Sequence, residues 1–193
     1  MARASRRLRQ ASTMIVLETD RLLFRDHQLD DLEPFCAMEA DAEFRRFVGG
    51  QPRTRFAAEE KFRRVYLPAI QHRMGLWATI LKQESRYIGY CGVYPHIGAA
   101  GLIPEEGVLA FYLARPYWRL GLATEGGLAF IAFAFWELKL SRLVASVEIG
   151  NDASMRVLTK LGFTQFDFEQ GQRRSFHHFE LNNRAAPHRA RAF

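Results

Sequence analysis

The chain has 193 residues, 48% hydrophobic and 25% charged, which fits one domain of ordinary soluble globular composition with a sizeable core. No apolar run reaches the ~18 residues of a membrane-spanning helix, and two cysteines, Cys36 and Cys91, exclude a disulfide framework and match no zinc spacing, so reduced thiols and a cytoplasmic location are expected. The net charge of +6 comes partly from Arg3, Arg6, Arg7 and Arg9 at one end and Arg184, Arg189 and Arg191 at the other, which leaves a nearly neutral domain, so no nucleic-acid partner is expected.

Residues 1–13 have no periodicity and are expected to form a disordered basic tail. They lack the apolar stretch of a secretory leader, and Met14 stands as an alternative start just before the first patterned segment. The folded domain is expected over residues 14–182, with a second basic tail over 183–193. Leu22–Asp26 reads as the first strand. Asp30 and Glu33 have capping-box spacing and would open a short helix through Met38. Asp41 caps another turn reaching Val48, and Thr54 caps a longer helix over 55–73. Leu76–Leu81 and Tyr87–Tyr94 form an antiparallel hairpin. A loop over 98–101 precedes a strand over Val108–Leu113, which places Leu109, Phe111 and Leu113 on one face.

Leu122–Leu138 reads as a helix whose buried face carries Leu128, Ile131, Ala132, Phe135 and Leu138. Leu143–Val147 is a strand, Asp152–Leu161 an amphipathic helix stopped by Gly162, and Phe163–Phe168 with Ser175–Leu181 a closing strand pair. This order predicts an α+β fold around a central, mostly antiparallel sheet flanked by helices.

The chemistry is concentrated between Phe111 and Glu125, FYLARPYWRLGLATE. A strand ends, a loop turns and a helix begins. The first turn of a helix has main-chain N–H groups without internal acceptors and carries partial positive charge. Gly121 and Ala123 let an anion approach that backbone, which suits a pyrophosphate. The Walker pattern and the G-x-G-x-x-G dinucleotide pattern are both absent. What remains, Trp118-Arg119-Leu120-Gly121-x-Ala123, resembles the R/Q-x-x-G-x-G/A loop of the GNAT acetyltransferase superfamily in its Gly121-x-Ala123 part, with Arg119 one place nearer the glycine than the motif has it.

A second segment strengthens the resemblance. Asn151, Ser154, Leu158, Lys160, Gly162 and Phe163 lie in NDASMRVLTKLGF, which is similar to a helix of the ribosomal-protein N-terminal acetyltransferases, the RimJ/RimL-like branch. The segments TDRLLFR from Thr19 and YIGYCG from Tyr87 resemble the same branch, so the likeness covers residues 17–181. It implies a GNAT-type fold, splayed at the cofactor cleft, and an N-acetyltransferase that moves an acetyl group from acetyl-CoA to a primary amine, either a protein N-terminus or a small molecule.

By the same resemblance the backbone at Leu113 and Ala114 binds the pantetheine arm like an added strand. The N–H groups of Arg119, Leu120, Gly121, Leu122, Ala123 and Thr124 hold the pyrophosphate, and Asn151 reaches the cofactor from across the cleft. Many relatives place an acidic Tyr where this chain has Leu158; Ser154, one turn earlier, is the candidate hydrogen-bond donor to the leaving thiolate. Glu106 is the candidate base, with Glu105 and Glu148 as rivals. An α-amine, with a reference pKa of about 8, needs less help to lose its proton than a lysine at about 10.4. Trp118 packs the loop or touches cofactor, and Arg156 and Lys160 are surface charges or ribose-phosphate contacts.

The loops 41–55 and 168–174 border the acceptor by family analogy and carry Arg45, Arg46, Arg53, Arg55, Arg173 and Arg174. That charge disfavours a polycation and suits a peptide or a carboxylate-bearing amine. His177 and His178 point to opposite sides of a strand, and no histidine has metal spacing with carboxylates, so no metal is expected. The competing readings are a catalytically silent CoA-binding sensor or scaffold, motivated by Leu158, and a ribosome-surface binder using the Arg tails. A homodimer is compatible with the sequence, which does not fix the oligomeric state.

Overall fold

The computed structural model describes residues 14–68 and 73–185. The expected tail at 1–13, the end of the long helix at 69–72 and residues 186–193 lie outside the described residues. Eight strands form one sheet: β1 Ile15–Glu18, β2 Leu22–Arg25, β3 Gly75–Leu81, β4 Arg86–Gly98, β5 Gly101–Leu113, β6 Arg142–Glu148, β7 Thr164–Glu169 and β8 Phe176–Asn182. Their spatial order is β1-β2-β3-β4-β5-β6-β8-β7. All neighbours are antiparallel except β5 and β6. The expected α+β architecture is therefore present.

The helices are α1 Leu32–Ala40, α2 Ala42–Arg46, α3 Arg55–Lys61, α4 Leu122–Ala132 and α5 Asp152–Lys160. Asp41 caps α2 by accepting from the N–H groups of Glu43 and Phe44, and Thr54 caps α3 through Ala57 N–H, as the sequence predicts. The first capping box is displaced. It joins Gln28 to Asp31 rather than Asp30 to Glu33, because Asp31 is buried against Arg25 while Glu33 is exposed and pairs with Arg55. Two helices end in a widened turn, with Leu67 N–H bonded to Phe62 O and Leu138 N–H to Phe133 O.

Three further differences follow from context. Strand β1 was not expected: it is four residues long and Ile15 at its start is exposed, so its burial signal is weak. The expected 98–101 loop is the tip of a long hairpin, in which β4 and β5 each run for 13 residues. Residues beyond Asn182 also pack, since Asn183 donates through its N–H to Ser141 O.

Two hydrophobic cores lie on opposite faces of the sheet. One holds Trp77, Leu109, Phe130, Leu143 and Leu158, under α4 and α5. The other holds Phe35, Phe62, Ala78 and Tyr90, under α1 to α3. Burying each large apolar side chain contributes about 1.5–3 kcal/mol. Helix α4 is enclosed on more than the one expected face, since Ala129 and Phe130 are also buried. A Cβ on Gly127 would come within 2.6 Å of Leu161 Cδ1, so this glycine lets α4 and the end of α5 pack closely.

Candidate active site

The parallel strands β5 and β6 pair only at Glu106–Arg142, Gly107–Leu143 and Val108–Val144. Both continue, β5 to Leu113 and β6 to Glu148, without further pairing. The sheet therefore opens into a cleft toward their C-terminal ends. Ala114 N–H bonds to Ile88 O on the β4 side. Alternation along an antiparallel ladder then directs the main-chain groups of Phe111 and Leu113 toward β6, into the opening.

This refines the expectation for Leu113 and Ala114. Ala114 is committed at both ends, since its carbonyl accepts from Tyr117 N–H. Trp118 donates its indole N–H to the Leu113 carbonyl at 2.6 Å. Leu113 N–H and the main chain of Phe111 remain for a ligand. Trp118 thus fixes the mouth of the cleft as well as packing the loop.

Past β5, Arg115–Tyr117 make one 3-10 turn and Gly121 begins α4 at φ +79°, a left-handed conformation suited to glycine. Among the described residues no side chain caps α4. Glu125 N–H is bonded to Gly121 O, while the N–H groups of Arg119, Leu120, Gly121, Leu122, Ala123 and Thr124 have no main-chain acceptor among the described residues. The structure therefore brings the six predicted loop residues together as a run of bare donors at a helix N-terminus, and they fit a diphosphate. Arg21, which no local pattern marks, stands beside them. Its Nε and main-chain N–H hold Glu125, its Nη1 holds Leu120 O at 2.9 Å, and Thr19 Oγ1 donates to Glu125 at 2.6 Å.

Across the cleft, Asn151 precedes α5, and its side-chain oxygen accepts from Ser154 N–H at 3.2 Å. That bond caps the helix and leaves the Asn151 NH₂ for a ligand. Ser154 is half-buried, and its hydroxyl has no hydrogen-bond partner among the described residues. Leu158, where relatives carry an acidic Tyr, is buried in the core at 1% exposure.

Glu106 is not at this end. It sits in the paired part of β5, opposite Arg142, the first residue of β6. From Arg142 to Glu148 that strand runs about 20 Å toward the open end and α5. Glu106 binds Arg142 at 3.0 Å and His96 at 2.8 Å. Burial opposes its charge, but the hydrogen bonds from His96 and Arg142 outweigh this and hold the carboxyl below its usual value. The expected position of Glu106 at the base site is therefore corrected: it pairs with Arg142 and His96 at the closed end of the β5–β6 ladder, away from the opening. Glu105 is exposed, with its carbonyl tied to Ser141. Glu148 does end β6 at the open side, where it pairs with Arg174.

The face of the sheet under α1 to α3 continues onto Val144, Ser146 and Glu148 of β6 and Phe176, His178 and Glu180 of β8, which belong to neither core's helical cover. This part of the sheet lies beside the helical block. The two expected acceptor loops meet over it: Arg174 donates to Phe47 O at 3.0 Å, and Phe47 lies beside Gly150. Arg45 turns inward to Glu39, Arg55 is held by Glu33, and Arg156 and Lys160 are exposed. His178 Nδ1 lies 2.9 Å from Ser146 Oγ. No helix among the described residues is long and apolar enough to cross a membrane, and no group of three His, Cys, Asp or Glu residues in them is arranged for a metal.

Residues 21–164 match the model of the acetyltransferase (GNAT) domain. The chain belongs to the GNAT acetyltransferase family. An uncharacterized N-acetyltransferase of Bacillus licheniformis, p20, is 27% identical over 154 residues, which cover 78% of this chain and 83% of the relative. A GNAT-family acetyltransferase from Bacillus anthracis superposes with a TM-score of 0.75 at 17% identity, covering 89% of this chain and 99% of the other. Ribosomal-protein-S5-alanine acetyltransferase from Vibrio fischeri gives 0.70 at 17% identity over 89% and 98%. Spermidine N-acetyltransferase from Vibrio cholerae, solved with CoA and spermine, gives 0.69 at 13% identity over 86% and 98%. These structures share the fold. As a GNAT member the chain is an acetyl-CoA-dependent acyltransferase.

Proposed function

We propose that this GNAT protein is an N-acetyltransferase of the RimJ/RimL-like branch, which transfers an acetyl group from acetyl-CoA to a primary amine on a protein N-terminus or a small molecule. One observation carries the reading: the β5–β6 ladder stops after Val108–Val144, and the opening is flanked by the bare donor loop at Gly121 on one side and Asn151 with Ser154 on the other.

The acetyl-CoA thioester supplies the activated acyl group. The loop N–H groups from Arg119 to Thr124 hold its diphosphate, and Phe111 with Leu113 N–H align the pantetheine arm as an added strand. Ser154 Oγ donates a hydrogen bond to the departing sulfur, in place of the acid that Leu158 cannot provide. The amine enters from the open part of the sheet face beside α1 to α3 and attacks the thioester directly. Glu148, which ends β6 and pairs with Arg174, is the candidate to take its proton through water.

The test is calorimetric binding of acetyl-CoA followed by thiol release with a panel of amines. The reading requires binding and turnover with at least one amine. Binding without turnover on any amine would favour the silent sensor, and absence of binding would remove both.

A further inference from the structure

The face of the sheet under α1 to α3 carries a concentration of hydrogen-bond donors that its own carboxylates do not match. Glu39 is fully buried and accepts from Arg45 at 3.1 Å, Arg53 at 2.8 Å, Lys61 at 3.1 Å and Tyr90 at 3.4 Å. Three cations thus share one carboxylate. At the open end of β6, Arg174 pairs with Glu148. Four cations therefore stand against two carboxylates.

The surplus is not sealed in the core, since the Arg53 side chain is 35% exposed and that of Lys61 22%. Burial pulls the Lys61 ammonium below the ordinary lysine range, and repulsion from Arg53 and Arg45 adds to this despite Glu39. The nearby pair Arg115–Asp41 is one to one, Glu169 lies 3.3 Å from the His178 ring, and Arg142 at the far end faces both Glu106 and Glu180.

Phenols extend the donor set toward the cleft. Tyr66 stacks on Tyr90 and Tyr90 on Tyr112, each with ring centroids 4.9 Å apart. Tyr112 directly precedes Leu113 at the cleft mouth. Tyr94 lies on the same face of β4 as Tyr90, and Gly92 and Ala110 leave the sheet surface between them low. The hydroxyls of Tyr94 and Tyr112 have no protein partner among the described residues, and burial pushes both above the usual phenol value, so they remain donors.

We propose that the acceptor amine of this enzyme carries a carboxylate, held by Arg53, Lys61 and the Tyr94 and Tyr112 hydroxyls, and that polyamines are disfavoured. This rests on the acetyltransferase reading and narrows its acceptor. A carboxylate placed there receives charge-assisted hydrogen bonds and balances the surplus, whereas a polyamine adds charge to a site already positive. The amine of such an acceptor lies toward Leu113, where the cleft opens.

The experiment compares matched acceptors in the wild-type protein, with acetyl-CoA binding measured first by calorimetry as the check on the underlying reading. The acceptors are the C-terminally amidated dipeptides alanyl-glutamate and alanyl-glutamine, and spermidine. The expected result is a kcat/KM about tenfold higher for the glutamate than for the glutamine peptide, the scale of one charge-assisted hydrogen bond, with spermidine slowest. Arg53→Gln and Lys61→Met should bring the peptide ratio toward one without changing acetyl-CoA affinity. Equal rates for the two peptides in the wild type, faster turnover of spermidine, or acetyl-CoA binding with no turnover of any of the three would overturn the proposal. Failure to bind acetyl-CoA would instead strike the acetyltransferase reading beneath it.

Discussion

Arg21 and Glu125 lock the first turn of α4 to the edge of the sheet. Arg21 Nε lies 2.6 Å from Glu125 Oε2, and Arg21 N–H donates to Oε1 at 2.9 Å. The same guanidinium holds Leu120 O, which turns that carbonyl away from the donor side of the loop. A Cβ on Gly121 would lie 3.5 Å from Arg21 Nη2, so the cation stands beside the proposed diphosphate position. Arg21→Ala should weaken acetyl-CoA binding about tenfold by calorimetry, because it removes a cation and leaves a carboxylate unpaired beside an anion. Arg21→Ala with Glu125→Gln should recover part of that loss. A double variant as weak as the single one would show that the carboxylate is not the cause.

Gly121→Glu combines two penalties. Its φ of +79° strains any side chain by about 1–2 kcal/mol, and the new carboxylate meets the diphosphate site. The expected outcome is a folded protein, by circular dichroism, with no measurable acetyl-CoA binding. Tight binding by this variant would contradict the loop assignment.

Ser154 and Glu106 should separate in kinetics. Ser154→Ala removes a donor and leaves the Asn151 cap intact, because the capped group is the Ser154 N–H. Turnover should fall about tenfold with little change in acetyl-CoA affinity, the cost of one hydrogen bond to developing charge. Glu106→Gln should lower the melting temperature through lost contacts with Arg142 and His96, while the pH–rate profile keeps its shape.

His27 sets an acid limit on stability. It is packed among Phe62, Tyr66, Tyr87 and Tyr90. Burial lowers its pKa from 6.5 to about 4, against a smaller opposing pull from Asp31. The unfolded chain takes up a proton below about pH 6.5 that the folded chain refuses until about pH 4, so stability falls as pH drops through this window. The loss should approach about 3 kcal/mol, read from denaturant unfolding at pH 7 and pH 4.5. His27→Gln should flatten the dependence.

The elements that carry the cofactor loop were legible because their signals are local. The α4 start, the α5 motif and the caps at Asp41 and Thr54 all depend on residues within one turn of each other. The partner of Glu106 is hidden for the opposite reason: only the β5–β6 register reveals that it faces Arg142, 36 residues on. Arg21 and Glu125 are 104 residues apart, and Glu39 meets Tyr90 across 51, so neither contact leaves a mark on periodicity. Strand β1 was lost because its exposed start gives no alternation to read.

The short ladder between β5 and β6 also has a mechanical consequence. Three residue pairs hinge a five-stranded half of the sheet to a three-stranded half, and beyond them the halves are free of each other's amides. A strand-like occupant would bridge that gap, so amides of Phe111 and Leu113 would exchange deuterium fast in the empty protein and slowly in the loaded one. Slow exchange across the seam would then report occupancy before any chemistry takes place.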